Sequence, residues 1–299
     1  MASTELIRAA LSHAARGWRV FPLRPNDKRP AIRDWEARAT TDVVRIRKAW
    51  ERGPFGIGIA CGPSGLVVLD LDRPKPDSVR PSEWDRPGIT DGADVLAALA
   101  EHHDVAPPVD TFSVRTGSGG EHLYYAAPED VAIRNSAGRI GWLIDVRAAG
   151  GYVVAAGSVV RGRRYRAAEA RVAPLPVWLT RLLAEEQDKA DLGRRSADFA
   201  PLLDVVGRRS AYTAAALHGE LDRVLAATPG HRNHTLNAAA FALGQLVGGG
   251  LLPDGLATAA LAEASAAIGL PAAEAHCTIR SGLTAGSRCP RHAPSEGRP

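Results

Sequence analysis

Two aspartates, Asp70 and Asp72, alternate with a leucine at the end of the apolar run LVVLDLD. In a β-strand, residues two apart lie on one face, so both carboxylates should point the same way with their Cα atoms roughly 6.5–7 Å apart. Carboxylates at this spacing repel each other unless a cation lies between them. Mg²⁺ takes such oxygen ligands and leaves coordination positions to water and substrate phosphates. The pair therefore predicts a divalent-metal site, and an aspartate-rich turn that ends a strand is the alternative.

A third acid, Asp145, lies in a second apolar segment, WLIDVRA. A carboxylate among apolar neighbours is costly unless it is paired or binds a metal. If this segment is a strand beside LVVLDLD, and Asp145 faces the same way as the aspartate pair, the three acids would form one metal site. Arg147 lies two residues further on the same face, so a salt bridge to Asp145 is the alternative explanation.

A glycine-rich turn precedes a histidine in the segment RTGSGGEHLYY. Its glycines, Gly117, Gly119 and Gly120, let a ligand approach the backbone closely, and backbone N–H groups in such a turn can bind phosphate. His122 begins the next predicted strand, with Tyr124 on the same face, and could hold a triphosphate oxygen of an incoming nucleotide. A glycine hairpin with a half-buried histidine is the structural alternative.

Basic residues cluster in two segments. The first includes Lys28 and Arg29, and the second, RGRRYR, places Arg163 and Arg164 beside Tyr165. Such clusters suit the phosphate backbone of DNA, and the tyrosine could stack on a base. An ordinary solvated face is the alternative for both segments.

The composition is that of a globular protein, because 45% of the 299 residues are hydrophobic and 23% are charged. These values exclude a disordered chain, a collagen and a small disulfide-stapled fold. The formal net charge of +4 permits a nucleic-acid partner without requiring one. Three scattered cysteines and the lack of an apolar run of transmembrane length predict a cytoplasmic protein that does not associate with membranes.

The pattern of predicted elements changes along the chain. Residues 1–187 show short strands between helices, which predicts an α+β domain with a mixed sheet and flanking helices. Residues 188–209 are polar and charged without clear periodicity, and we predict a linker there. Residues 210–299 are rich in alanine and have helical periodicity, which predicts a small all-α domain. The predicted helices of this domain cover residues 211–227, 231–248, 254–268 and 271–285.

Taken together, the segments between about Ala9 and Arg166 resemble the bifunctional DNA primase/polymerase (prim-pol) domain of the archaeo-eukaryotic primase superfamily. This domain occurs in replication proteins of plasmids, phages and integrative elements. The matching segments are GWRVFPLRPNDKRP, WEARATT, GIGIACGPSGLVVLDLD, VRTGSGGEHLYY and IDVRAAGGYVV.

The resemblance implies an RRM-like catalytic core that depends on Mg²⁺ or Mn²⁺ and joins nucleotides on a DNA template. The expected activity is that of a DNA primase that also extends primers. Its expected partners are a single-stranded DNA template, NTPs or dNTPs, and a separate helicase or replication initiator, because no Walker A motif follows in this sequence.

The candidate residues fall into three groups. By resemblance, Asp70, Asp72 and Asp145 match the metal ligands that carry catalysis. The nucleotide-binding candidates are Ser118, Gly119, Gly120, His122 and Arg147, of which His122 matches the family's nucleotide-binding histidine. The DNA-binding candidates are Lys28, Arg29, Arg163 and Arg164, of which Lys28 lies in the family's K-x-P stretch.

The tail offers binding residues only, since every acid proposed for the metal site lies before residue 150. His231, Arg232 and Asn233 follow Gly230 at the start of a predicted helix, whose N-terminal amides could bind phosphate. The tail is therefore expected to help start a primer, with a packing role as the alternative. Zinc-like spacings also occur there, at His231/His234 and Cys289/His292, although a structural role is the simpler interpretation.

Two other functions use part of the same pattern. A metal-dependent nuclease could use the same acids, and it would release nucleotides from DNA where a polymerase incorporates dNTPs. A non-catalytic DNA-binding replication protein is the other alternative. The combination of the three acids with His122 argues against it, because a protein that only binds DNA needs none of them together.

Overall fold

The computed structural model describes residues 2–76, 78–168, 170–196, 199–208, 210–227 and 231–291. The chain divides into two compact units, Met1–Glu186 and Gln187–Pro299. Each unit has its own hydrophobic core. Among the described residues, no helix is long and apolar enough to span a membrane.

The first unit combines helices with short strands. Its helices are α1 (Ala2–Ala15), α2 (Trp35–Arg38), α3 (Val43–Trp50), α4 (Gly92–His102) and α5 (Val177–Ser196), which continues into the second unit. Its strands are β1 (Val20–Leu23), β2 (Gly56–Ala60), β3 (Leu66–Leu71), β4 (Ser113–Arg115), β5 (Glu121–Ala126), β6 (Ser136–Ala137), β7 (Ile144–Arg147), β8 (Tyr152–Val154), β9 (Val159–Val160), β10 (Arg163–Arg164), β11 (Arg166–Ala168) and β12 (Ala173–Pro174).

Most strands belong to two antiparallel sheets. The larger sheet has the order β11-β4-β5-β3-β7-β6, with β12 parallel to β5. The smaller sheet has the order β1-β2-β8, and β9 pairs with β10 as a separate hairpin. Strand β3 lies between β5 and β7, so both of its edges are hydrogen-bonded.

The two faces of β3 pack into different hydrophobic clusters. Val67, Leu69 and Leu71 are buried in the cluster that includes residues of α4 and α5. Leu66 and Val68 point the other way, into the cluster formed with α1, β1 and β2. This alternation follows from the two-residue period of a strand, and it places the side chain of Asp70 on the face of Leu66 and Val68.

The second unit is helical. Its helices after α5 are α6 (Ala200–Gly207), α7 (Ala211–Leu225), α8 (Arg232–Gly248), α9 (Asp254–Ala267) and α10 (Ala272–Ser287). An α+β region followed by a helical region confirms the fold class predicted from the sequence. The last four helices start and end within two residues of the predicted ranges.

Residues 188–209, predicted as a linker, are largely helical in the structure. Helix α5 continues to Ser196, and α6 follows from Ala200 to Gly207. The first turns of α5 are anchored by the buried residues Leu179 and Leu183. The following residues are mostly good helix formers. They are so rich in charged residues that they lack the apolar periodicity by which an amphipathic helix is predicted from sequence. Residues 197, 198 and 209 lie outside the described part of the chain.

Helices α8 and α10 approach each other through glycines. Each carries two glycines four residues apart, Gly244 and Gly248 on α8 and Gly282 and Gly286 on α10. A Cβ atom added at Gly286 would lie 2.1 Å from the carbonyl oxygen of Phe241, and one added at Gly244 would lie 2.5 Å from that of Leu283. The two backbones are therefore in direct contact, and no side chain fits between them.

We expect Gly286→Ala to destabilise the helical unit by about 1–3 kcal/mol, because the added methyl group meets backbone atoms that cannot move independently. The matched control is Gly219→Ala in α7, where an added Cβ meets no atom within 4 Å. This control should stabilise by about 0.5–1 kcal/mol, the usual gain when alanine replaces glycine in a helix. Urea unfolding of the full chain, followed by circular dichroism at the helix band, measures both. Equal stability of the two variants would contradict the close contact.

Candidate metal and nucleotide site

Three carboxylates meet at the end of the central strands. In the strand register, Asp70 of β3 lies directly opposite Asp145 of β7 on one side and His122 of β5 on the other. Single carboxylate oxygens of Asp70, Asp72 and Asp145 all lie within 4.8 Å of one another. The structure thus brings together the three acids that the sequence analysis singled out. In the described part of the chain, this is the one group of three or more acidic, histidine or cysteine residues that could hold a metal ion.

The end of β3 is held by backbone hydrogen bonds from two directions. The amide of Asp72 donates to the carbonyl of Leu143 (2.9 Å), and the amide of Gly92 donates to the carbonyl of Asp72 (3.0 Å). A Cβ atom at Gly92 would lie 2.4 Å from the carbonyl oxygen of Leu143, so only glycine fits there without a shift. Asp91 and Asp94 form a capping box that starts α4 at this point. The acidic cluster therefore sits on a fixed backbone.

Cationic side chains lie against the acids. Arg147 contacts Asp145 at 2.6 Å and Asp70 at 3.8 Å, so the salt bridge considered as an alternative does form. It forms within the acidic cluster and does not replace it. The Nε2 atom of His122 lies 3.3 Å from the nearer oxygen of Asp70. Its Nδ1 atom is buried and has no hydrogen-bond partner among the described residues.

The environment separates the three acids in pKa. Burial disfavours the charged form of Asp70, but the charges of His122 and Arg147 outweigh it and lower its pKa to about 2. Burial raises the pKa of Asp145 to about 6, against the opposing effect of Arg147. Burial and the charge of Asp70 also raise the pKa of Asp72. The protein's own cations therefore compensate Asp70 well and the other two acids incompletely.

This donor set fits a hard divalent cation. Three carboxylates within reach of a single ion match the oxygen ligands that Mg²⁺ and Mn²⁺ take. Burial is the largest cause of the raised pKa values of Asp72 and Asp145, and the charges of neighbouring aspartates add to it, so both carboxylates are costly to ionise without a further cation. A bound cation would supply that missing charge, so the acidic cluster could hold a divalent metal.

The glycine-rich turn lies beside the acids. The carbonyl of Gly120 accepts the amide of Thr116 at 2.9 Å, which closes the turn. A Cβ atom at Gly120 would lie 2.4 Å from the carbonyl oxygen of Leu71 and 3.4 Å from the Cα of Asp72. Gly119 has a φ of +91°, a conformation that favours glycine. Ser118 shares a 3.0 Å hydrogen bond with the hydroxyl of Thr116.

His122 and Tyr124 share one face of β5, as the sequence predicted. His122 is 4% exposed and therefore buried more completely than the half-buried alternative required. Tyr165, which was expected to be able to stack on a base, is only 2% exposed, with its ring 5.9 Å from that of His122. That expectation is wrong, because Tyr165 lies between β10 and β11 with its ring packed into a hydrophobic cluster, while the arginines on either side of it are exposed.

The basic candidates are not equivalent. Lys28 is exposed, and its charge helps to lower the pKa of Asp70. Arg29 forms an ion pair with Asp27 at 2.5 Å. Arg163 donates to the carbonyl of Gly117 in the glycine turn at 3.4 Å. Arg164 contacts Glu5 at 3.3 Å.

Arg73 belongs to this site but was missed in the sequence reading. An added Cβ at Gly119 would lie 3.4 Å from the Cδ of Arg73 and 3.6 Å from its Nε, so the side chain runs along the glycine turn. Its Nε also lies 3.8 Å from a carboxylate oxygen of Asp91. Its position in the sequence could have predicted this, since Arg73 directly follows the Asp70–Asp72 pair at the end of the strand.

The polar residues of the tail are in different environments. Arg232 is buried, and the side-chain carbonyl of Asn233 accepts the hydroxyl of Thr278 at 2.6 Å. Cys277 and Cys289 are exposed free cysteines. Gly230 and His292 lie outside the described residues, and the residues described around them form no group that could hold zinc.

Comparison of the sequence with known protein families identifies the family of the segment that contains this site. No curated protein was found to match the chain. A family model described as bifunctional DNA primase/polymerase, N-terminal (Prim-Pol), matches residues 10–178. The match covers more than half of the chain, and it contains the three acids, the glycine turn and His122. The chain therefore belongs to the Prim-Pol family of bifunctional DNA primase/polymerase domains.

Proposed function

We propose that the protein is a template-dependent nucleotidyltransferase that makes primers on single-stranded DNA and extends them. The observation that carries this proposal is the meeting of three carboxylates, within 4.8 Å of one another, beside a glycine turn that can accept phosphates. A primer–template junction and an incoming nucleotide need these two neighbouring features. Family membership supports the same reaction class.

Asp70, Asp72 and Asp145 are the proposed ligands of Mg²⁺ or Mn²⁺. When bound, such ions would lower the pKa of the primer 3′-hydroxyl and neutralise charge on the departing pyrophosphate. The residues of the chain do the positioning. The paired strands hold the acids in a fixed register, and Arg147 orients Asp145 through their 2.6 Å contact.

The triphosphate is proposed to lie on the glycine turn. Ser118, Gly119 and Gly120 offer backbone N–H groups and a hydroxyl. His122 would donate to a phosphate oxygen through a ring nitrogen, and Arg147 would add positive charge from the opposite strand. We add Arg73 to this group, because its side chain runs along the same turn.

The template is proposed to contact the exposed basic residues Lys28, Arg163 and Arg164, whose charges suit a phosphate backbone. Arg29 contributes less, because Asp27 already neutralises it. We propose a role in the replication of a plasmid or other mobile element, with a separate helicase or initiator. The helical unit is proposed to assist the start of primer synthesis.

The Asp70→Asn, Asp72→Asn and Asp145→Asn variants should each reduce nucleotide incorporation by about 100-fold or more, because each removes a charged metal ligand. The assays are extension of an annealed primer and primer synthesis on a bare strand, with Mg²⁺ or Mn²⁺ and with NTPs or dNTPs. Asp110→Asn, which changes an exposed aspartate outside the site, is the matched control and should keep wild-type rates. Near-normal extension by all three folded variants would refute the metal site. Release of nucleotides from DNA without incorporation would indicate a nuclease.

The His122→Ala and Arg73→Ala variants should raise the nucleotide KM more than the Kd for template DNA. Each loses a charge-assisted hydrogen bond to phosphate, worth about 1.5–3 kcal/mol and thus roughly tenfold or more in apparent affinity. Steady-state extension measures KM, and fluorescence anisotropy with a labelled oligonucleotide measures DNA binding. Arg80→Ala, on the loop that follows Arg73, serves as the control. An unchanged KM together with lost DNA affinity would show that these residues bind template.

In metal-free buffer, Asp145→Asn should stabilise the protein above pH 6 by on the order of 1–2 kcal/mol. The folded-state pKa of about 6 lies above the ordinary aspartate pKa of 3.8, so ionisation of Asp145 costs stability as the pH rises through this window. The difference between variant and wild type should therefore shrink as the pH falls below about 6 and level off below about pH 3, where the carboxyl is protonated in both states. Thermal unfolding between about pH 3 and 8 measures it.

Added Mn²⁺ should raise the melting temperature of the wild type more than that of the Asp145→Asn variant. A pH-independent difference, or equal stabilisation by the metal, would contradict this account.

A further inference from the structure

A groove on the first unit is not used by the proposed reaction. It has a volume of about 470 Å³ and lies between β1, α3 and the segment that joins them. Its floor is apolar and includes Val20, Pro22, Ile32 and Phe55. The volume falls within the usual range of ligand-binding pockets.

The rim of this groove is basic. Arg38 lies on one side, and Arg45, Lys48 and Arg52 lie along α3 and the turn after it. All four side chains are exposed, and no aspartate or glutamate lines the groove. Among the described residues, no carboxylate forms an ion pair with any of the four.

The arrangement along α3 costs stability within the chain. Arg45 and Lys48 are three residues apart on α3 and are neighbours on one side of the helix, and Arg52 lies in the turn that follows. Like charges at this spacing on a helix repel each other. A negatively charged partner would remove this repulsion, which the chain itself leaves uncompensated.

The polar groups of the floor are already occupied. The indole N–H of Trp50 donates to the carbonyl of Phe55 at 2.8 Å, and the hydroxyl of Thr40 accepts the amide of Asp42 at 3.1 Å. A nucleobase in the groove would therefore find few partners for its polar edges, whereas an aliphatic or aromatic side chain needs none. The floor favours an apolar anchor over a DNA base.

The charges indicate more than a single carboxylate. Arg45 and Lys48 lie about 4.5 Å apart along the helix axis, and Arg38 and Arg52 extend the basic rim beyond α3, so the rim is longer than a single carboxylate can span. We propose that the groove binds an acidic peptide segment of a partner protein, with a large apolar side chain in the floor and several carboxylates along the basic rim. This interaction would recruit the protein to a partner without using its catalytic site.

The test uses the full chain and a fluorescein-labelled peptide, Asp-Asp-Glu-Asp-Leu-Phe, in fluorescence anisotropy. Two control peptides replace either Leu-Phe by Ser-Ser or the acids by their amides, and both should bind at least about tenfold more weakly. Binding of the parent peptide should also weaken as salt is added, since exposed charges are screened.

The protein variants are Arg45→Glu and Lys48→Glu, with Arg47→Glu as the matched control. Arg47 lies on the same helix but does not line the groove, so its variant makes the same change in net charge elsewhere. The first two should bind the peptide about tenfold more weakly, and the control should differ by less than about twofold. Ala49→Trp, which fills the floor without changing charge, should also lose binding. Melting temperatures identify any variant that fails to fold.

The same variants are tested for binding to oligo(dT) and for primer extension, which should stay at wild-type values. Loss of oligo(dT) binding by Lys48→Glu, with peptide binding intact, would overturn the proposal and assign the groove to DNA. Equal peptide affinity of Arg45→Glu, Lys48→Glu and Arg47→Glu would overturn it as well, because the rim would then play no specific part. Failure of the parent peptide to bind wild-type protein at low salt would also overturn the proposal.

Discussion

Repulsion between like charges is the constraint around which the first unit is organised. Asp70 and Asp145 lie directly opposite each other on paired strands, an arrangement that ordinarily destabilises a sheet. The fold tolerates it because the remainder of β3 is buried on both faces and hydrogen-bonded on both edges. Apolar packing thus fixes the strand, and the acids at its end have no freedom to move apart.

The surrounding cations divide their effect unequally among the acids. His122 and Arg147 lower the pKa of Asp70, while Asp72 and Asp145 keep raised pKa values. Asp70 is therefore ionised over the whole physiological pH range. The ionised forms of Asp72 and Asp145 are less stable, and a bound cation would stabilise them. Such a cluster is suited to a cation that binds reversibly, because the bound charge would stabilise the ionised forms of Asp72 and Asp145, which the protein's own cations stabilise least.

Much of this site could be predicted from the sequence, because a strand has a two-residue period. That period put Asp70 and Asp72 on one face and His122 with Tyr124 on another strand, before any pairing was known. The register of β3 against β7 depends on contacts between distant segments, so the position of Asp145 opposite Asp70 could only be proposed.

Other features depended on tertiary packing and were not predictable in the same way. Tyr165 is buried because the fold packs its ring into a hydrophobic cluster beside His122, although its neighbours in RGRRYR are arginines. The glycines that bring α8 and α10 into contact lie in or next to predicted helices, but the sequence alone does not show which two helices they join. Arg73 lies at the site because the glycine turn, which begins more than forty residues later in the chain, folds back against its side chain.

The order of the strands has a consequence for synthesis of the protein on the ribosome. Both partners of β3, namely β5 and β7, follow it in the sequence, and the amide of Gly150 is held by Glu36, 114 residues earlier. At roughly 5–20 residues per second, several seconds of translation separate β3 from its partners. During that interval the nascent chain exposes an apolar strand with two open edges, the kind of segment that aggregates or engages chaperones. The acids of β3 and β7 come together only when this exposure ends, so the acidic cluster is completed late in synthesis.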